Sequence, residues 1–190
     1  MRTIKLFERE INLIIDEDLR MAVKSYMEEA TPDYFWTDGA SSSGKYHPQF
    51  SQGIGGLVRH TKAVVMFAEE LLRMSSYAYM KDEYKDFVIA ACILHDFGKI
   101  FEYNQDEETG LIDYREDFRK DWISHSQWAY TKCMSEGFKT IAKMIATHHG
   151  RIEWGAMIDL NERDLEPILY IVHHIDDLSA KFGKISVSDL

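Results

Sequence analysis

The stretch FVIAACILHDFGK, residues 87–99, decides the fold, because eight apolar residues lead directly into a histidine and an aspartate. His95 follows Ala91 by four residues and Val88 by seven, so on a helix its side chain continues their apolar row. A buried polar side chain costs roughly 1–3 kcal/mol unless it has a partner. The stretch therefore predicts a core helix that brings His95 to an interior site where something must satisfy it.

Three more polar residues occupy such positions on predicted helices. His60, His148 and Asp176 each continue an apolar row at steps of three, four or seven residues. A single buried histidine is usually a hydrogen-bonded core residue. Imidazoles and carboxylates from neighbouring helices are, however, also how a helical bundle builds a metal centre in its interior. Because several such residues converge here, the pattern favours the metal centre.

Composition and charge limit the other possibilities. The chain has 190 residues, of which 45% are hydrophobic and 28% charged, as in one globular domain. The apolar run that ends at Leu94 is far shorter than the ~18 residues that span a membrane. The first twenty residues contain no signal-peptide core, so we expect a cytoplasmic protein without a membrane partner. Cys92 and Cys133 lie far apart in apolar segments and predict neither a disulfide framework nor a thiolate metal site.

The net charge of −10 bears on the partner. A field of that sign repels polyanions, so long nucleic acid is disfavoured. A small anionic substrate remains compatible with it, since a divalent metal ion in a pocket dominates the local potential.

The spacing of apolar residues predicts an all-α domain, interrupted by loops at 31–56 and 150–161 and by an irregular polar stretch at 99–120. Gly98 is predicted to cap one helix and Gly150 to end another. The predicted helices run from Glu8 to Ala30, Leu57 to Leu72, Phe87 to Asp96, Trp122 to Glu136 after an N-cap at Asp121, Phe138 to His149, and Glu162 to Phe182 with Leu178 on its inner face.

The order of three segments carries a family resemblance. These segments are Gly55-Gly56-Leu57-Val58-Arg59-His60, His95-Asp96-Phe97-Gly98-Lys99 and Ile175-Asp176. Together they resemble the HD-domain superfamily of metal-dependent phosphohydrolases over about residues 44–183. The resemblance implies a single-domain HD-type helical bundle with the metal site in its interior. Residues 1–43 would form an N-terminal helix and loop packed on an HD domain at 44–190.

The resemblance also implies the metal ligands. It assigns His60, His95, Asp96 and Asp176 to a first ion. Imidazole and carboxylate ligands suit Mn, Fe, Co, Ni or Zn as divalent ions, one or two in number.

Members of this superfamily with a second metal add two histidines between the His-Asp pair and the last aspartate. The resemblance therefore implies a second ion at His125 and the pair His148-His149, which lie in that interval. The segment from His148 to Gly155 is similar to the HD portion of bacterial 3′-to-5′ exoribonucleases. Adjacent residues on a helix point about 100° apart, so we expect His148 to be the ligand and His149 to approach substrate. For His125 an exposed position near a helix N-terminus is the alternative.

These features lead to a hypothesis of metal-assisted phosphodiester hydrolysis in a nucleotide or oligonucleotide. Asp96 would bridge two ions that activate water, and Lys99 would neutralise charge on the phosphate. His149 or His125 would protonate the leaving group. A plain surface position is the alternative for Lys99.

Two other functions stay open at this point: a di-iron oxygenase of the HD type, and a non-catalytic nucleotide-binding module. Trp154 also has two interpretations. It lies in a predicted loop, where it could stack on a nucleobase or pack against the domain.

Overall fold

The computed structural model describes residues 4–30, 49–53, 55–105, 112–116 and 124–182, which form a helical bundle with one small β-hairpin. In chain order the elements are α1 (Glu8–Ile11), α2 (Glu17–Ala30), α3 (Gly56–Leu72), α4 (Asp82–Leu94), α5 (Lys99–Glu102), β1 (Tyr103–Gln105), β2 (Ile112–Tyr114), α6 (His125–Ser135), α7 (Lys139–Thr147) and α8 (Leu169–Phe182). Single 3₁₀ turns occupy Ile4–Phe7, Gln49–Ser51, Ser75–Tyr77 and Ile152–Trp154. The predicted all-α class is confirmed.

Helix α4 is the central element of the core. Its residues 88–94 are each no more than 4% exposed, as expected for a helix that is apolar on every side. It packs against α1, α2, α3, α7 and α8. Fully burying one large apolar side chain contributes roughly 1.5–3 kcal/mol, so this helix holds the surrounding elements in place. Its C-terminal end delivers His95 and Asp96 to the interior.

The N-terminal segment folds as two helices, so the prediction of one helix from Glu8 to Ala30 is wrong. The chain leaves α1 after Ile11 and starts again at Glu17. Asp16 caps α2, because its carboxylate accepts the amide of Leu19 at 2.8 Å. Asp86 of α4 accepts the amides of Ile15 and Asp16 at 3.0 and 2.7 Å. These hydrogen bonds satisfy the turn better than a continuous helix would.

Two helices begin later than predicted. Helix α6 begins at His125, and its N-cap is Ser124, whose hydroxyl accepts the amide of Gln127 at 3.2 Å. Helix α8 begins only at Leu169, because Asp164 adopts a left-handed φ of 68° and Pro167 has no amide hydrogen to donate. Leu178 is 42% exposed and does not lie on the inner face.

Gly98 and the stretch after it also differ from prediction. Gly98 has an ordinary helical φ of −65° and is not the left-handed cap of α4, which ends at Leu94. The stretch predicted to be irregular instead contains α5 and the hairpin, in which Tyr103 pairs with Tyr114. Tyrosine has high β-propensity, which favours this pairing. Gly150 has the left-handed φ of 81°, but α7 already ends at Thr147, two residues before the predicted end at His149.

Three further predictions concern residues that the structure does not describe. Residues 31–48 of the loop predicted over 31–56, the domain boundary after residue 43 and the cap at Asp121 lie outside the described residues. None of the helices in the described ranges has the length and hydropathy that a bilayer crossing needs.

Candidate metal centre

The polar residues predicted to converge do meet, at the ends of several helices. His60 lies in α3, while His95 and Asp96 directly follow α4. His125 is the first residue of α6, and Asp176 lies within α8. The pair His148-His149 directly follows α7. Because these elements share one core, side chains far apart in sequence lie within a few ångströms of one another.

One cluster of ligand atoms forms between α3, α4 and α8. The Nε2 atoms of His60 and His95 are 3.3 Å apart. His60 Nε2 lies 3.4 Å from Asp96 Oδ2 and 3.0 Å from Asp176 Oδ1. His95 Nε2 lies 3.5 and 3.7 Å from the same two oxygens. The four residues predicted to hold the first ion therefore surround one small space.

A second cluster lies on the other side of Asp96. The Nε2 atoms of His125 and His148 are 3.3 Å apart, and they lie 3.4 and 3.9 Å from Asp96 Oδ1. The ring of His149 adjoins both, at centroid distances of 4.7 and 4.0 Å. The ligand atoms of His125, His148 and His149 all lie within 4.8 Å of one another.

Asp96 is the shared member of the two clusters. One carboxylate oxygen faces His60 and His95, and the other faces His125 and His148. The residue is only 3% exposed. This arrangement has the form of a carboxylate that bridges two cations.

The hydrogen bonds of the imidazoles determine where their lone pairs point. His95 Nδ1 lies 2.8 Å from the carbonyl oxygen of Cys92, and His148 Nδ1 lies 2.6 Å from that of Ile145. A carbonyl can only accept, so each Nδ1 carries the proton and each Nε2 presents a lone pair to the interior.

This donor set fits divalent metal ions. Nitrogen lone pairs and carboxylate oxygens crowd together in a buried space, and such groups repel one another unless a cation lies between them. The Nδ1 atom of His149 is also buried, with no hydrogen-bond partner within the described part of the chain.

The electrostatics of the centre favour an ionised Asp96 and neutral imidazoles at His148 and His149. Burial opposes the charge on Asp96, but Lys99 and then the histidines hold its pKa well below its usual range. Burial is the main cause of the depressed pKa of His148. Burial, with His125 next, lowers the pKa of His149 to about 4. Metal ions require these same ionisation states from their ligands.

Lys99 is not the surface lysine of the alternative interpretation. It is only 7% exposed, and its Nζ lies 2.6 Å from Asp96 Oδ2. His125 likewise is 6% exposed and not on the surface. The exposed-position alternatives for these two residues are therefore wrong, while their roles in metal binding and catalysis stay predictions.

Glu102 belongs to the centre and was missed by the sequence analysis. Its Oε1 accepts the backbone amide of His125 at 2.6 Å and lies 2.8 Å from His125 Nδ1. Because a carboxylate accepts, Nδ1 is protonated and Nε2 is left with its lone pair facing Asp96. No spacing rule could have identified Glu102, since the contact depends on how α5 packs against α6 and spans 23 residues.

Comparison with known proteins agrees with this geometry. The family model described as HD domain matches residues 57–181. The chain is 26% identical over 194 residues to dihydroneopterin 2′,3′-cyclic phosphate phosphodiesterase of Methanocaldococcus jannaschii, covering 98% of this chain and 71% of that protein. It is 27% identical over 150 residues to the 3′-5′ exoribonuclease YhaM of Geobacillus sp., covering 74% of this chain and 41% of that protein. No solved structure matches the chain.

Proposed function

This chain belongs to the HD domain family of metal-dependent phosphohydrolases, and we propose that it cleaves a phosphodiester bond in a nucleotide or oligonucleotide. The observation that carries the proposal is the position of Asp96. Its two carboxylate oxygens face two separate groups of imidazole nitrogens, at 3.4–3.5 Å on one side and 3.4–3.9 Å on the other. Ions held on either side of one carboxylate would lie close enough together to act as the pair of a two-metal phosphohydrolase site.

The residues divide between two ions. We assign His60, His95, Asp96 and Asp176 to one ion, and His125 and His148 with Asp96 to the other. Ions held there lower the pKa of a bound water and withdraw charge from a phosphoryl group.

The other residues of the centre neutralise charge on the phosphate and contact the leaving oxygen. Lys99 places a cation 2.6 Å from Asp96, where it can also offset negative charge on the phosphate. Of the five histidines in the two clusters, His149 alone is not fully buried. We therefore assign to His149 the hydrogen bond to the leaving oxygen.

The relatives support a phosphodiester as the substrate. One is named for a cyclic phosphate of dihydroneopterin and the other for exonuclease action on RNA. Both substrates contain a phosphodiester on a molecule that also carries a planar nitrogen heterocycle. The net charge of −10 makes a short nucleotide substrate the better fit than a long polymer.

Activity on phosphodiesters under controlled metal and oxygen conditions tests the proposal. Protein stripped of metal and reloaded with Mn²⁺ is assayed anaerobically on dinucleotides, cyclic nucleotides and phosphomonoesters. We expect cleavage of a phosphodiester. Inertness toward every phosphoester, together with O₂ uptake in air, would instead identify the oxygenase alternative.

Variants at Asp96 and Lys99 test the assigned roles. Asp96→Ala should lose bound metal, measured by elemental analysis, and its activity should fall to background. Lys99→Ala should retain metal and lose about 10²–10³-fold in kcat. Asp177→Ala, at an exposed carboxylate paired with Lys181, is the matched control and should keep both metal and rate. Full activity in Asp96→Ala would overturn the mechanism.

A further inference from the structure

The loop that follows His149 carries an exposed aromatic residue beside a cation. Trp154 is 60% exposed, and the Arg151 guanidinium lies over its indole ring at 5.1 Å from the centroid. The guanidinium is also 3.8 Å from the carboxylate of Glu153. Trp154 thus keeps a large exposed surface in addition to its contact with Arg151. An exposed indole is a surface on which a planar group can stack.

The loop is held firmly to the helix that precedes the metal centre. The amides of Met157 and Ile158 both donate to the carbonyl of Ala146 in α7, at 2.8 and 3.1 Å. The amide of Ala156 donates to the carbonyl of Arg151 at 3.0 Å, which closes the loop on itself. The position of Trp154 is therefore fixed relative to the histidines at the end of α7.

Gly155 connects the loop to the metal centre. It adopts φ of +102°, and a Cβ added there would lie 2.8 Å from His149 Nδ1. The loop backbone thus lies directly on the imidazole of His149. His60, His95, His125 and His148 are each no more than 6% exposed, whereas His149 is half-buried. Trp154 directly precedes Gly155 and is therefore close to His149. Among the described residues, His149 is the most accessible histidine of the two clusters.

We propose that Arg151 and Trp154 form a subsite for the planar heterocycle of the substrate, which stacks on the indole while its phosphate lies at the metal centre. The inference rests on the proposed function, because it needs a phosphate at that centre. Stacking of a base on an aromatic side chain is tolerant of base identity, so the subsite would accept a purine, a pyrimidine or a pterin. Its position beside the centre distinguishes this use of Trp154 from a general protein-docking surface.

Calorimetric binding with matched ligands tests the subsite. Adenosine 5′-monophosphate and ribose 5-phosphate carry the same sugar and phosphate, and only the first carries a base. We expect Trp154→Ala to weaken binding of adenosine monophosphate roughly 5- to 100-fold and to leave binding of ribose 5-phosphate unchanged. Trp154→Phe should recover part of the loss. Tyr79→Ala is the control and should change neither affinity. Tyr79 is 96% exposed and precedes the N-terminal end of α4, the end opposite to the metal centre.

A trinucleotide of adenylate serves as a third ligand. It shows whether the subsite binds a base of an oligonucleotide in the same way as the base of a mononucleotide. The same loss in Trp154→Ala for trinucleotide and mononucleotide supports a subsite for a single base in either substrate. The subsite is overturned if wild-type protein binds adenosine monophosphate no more tightly than ribose 5-phosphate. It is also overturned if Trp154→Ala weakens the binding of adenosine monophosphate and of ribose 5-phosphate equally. Failure of the proposed function has a different signature, namely no cleavage of any phosphodiester by wild-type protein.

Discussion

Glu102 shows how one residue can set the chemistry of another at this centre. Burial opposes its charge, yet the contacts with His125 hold the pKa of Glu102 below its usual value. An ionised carboxylate at that position keeps the proton of His125 on Nδ1 and turns Nε2 toward Asp96. Partners of this kind typically affect metal affinity by 10- to 100-fold.

Replacing Glu102 should therefore weaken metal binding at the cluster that contains His125. We expect Glu102→Ala to reduce the affinity for one of two Mn²⁺ ions by about 10- to 100-fold, as measured by competitive metal titration. Glu102→Gln keeps an acceptor oxygen and should recover part of that affinity. The exposed Glu162→Gln is the control. Unchanged affinity in Glu102→Ala would show that the carboxylate does not support a ligand.

His149 makes the stability of the metal-free protein depend on pH. Its pKa is about 4 in the folded protein, chiefly through burial, against 6.5 in an unfolded chain. Between those values the unfolded chain binds the proton and the folded protein does not, so stability falls as the pH is lowered. From pH 7 to pH 5 this residue alone should remove about 2 kcal/mol from the free energy of unfolding.

Urea denaturation of chelator-treated protein at the two pH values measures that difference. His149→Asn should reduce the loss of stability between pH 7 and pH 5 by about 2 kcal/mol. His174→Asn, at an exposed histidine of the same protein, should retain the full loss. An identical pH dependence in wild type and His149→Asn would contradict the assignment.

Among the elements, the approach of α5 to α6 positions His125. A Cβ added to Gly98 would lie 2.2 Å from the carbonyl oxygen of His125, so only glycine permits this distance. The close approach lets Glu102 reach the first residue of α6. From the sequence alone Gly98 is predicted to be a helix cap, because cap glycines and contact glycines look alike in a sequence.

A buried ion pair fastens α1 to α3. Lys62 Nζ lies 2.9 Å from Glu10 Oε2, and the two residues are 5% and 3% exposed. Glu10→Ala would leave a buried ammonium group without its carboxylate, which should cost about 3–5 kcal/mol of stability. Chemical denaturation measures this cost. Lys181→Ala, which breaks an exposed pair with Asp177, should cost less than about 1 kcal/mol, and a similar cost for both variants would contradict the prediction.

For the whole molecule, net charge governs the encounter with an anionic substrate. A protein of charge −10 repels a dinucleotide at long range, and added salt screens the repulsion. We expect kcat/KM for an anionic dinucleotide to rise, by up to about tenfold, between about 20 and 200 mM NaCl. Steady-state kinetics over this range measure the trend, with kcat as the internal control that should change little. A steep fall with salt would instead indicate a basic groove for nucleic acid.

The periodicity of the sequence accounts for most of the correct predictions. Helices α3 and α7 lie close to where the apolar rows place them, because one-sided burial requires that spacing. Helix α4 contains the predicted stretch 87–94 but begins five residues earlier, at Asp82. The misplaced boundaries have specific causes. Asp86 interrupts the first helix through hydrogen bonds to residues 71 and 70 positions away, and Pro167 delays the last one.

The sequence by itself determined the helical class, the family and the burial of His60, His95 and His148. Each of these depends on spacing along one helix or on the order of motifs. Only the tertiary structure decided that Asp96 lies between two clusters, that Glu102 holds His125, and that Gly155 lies on His149. Those contacts join side chains of different elements, and their distances depend on how helices and loops pack, which no local repeat in the chain specifies.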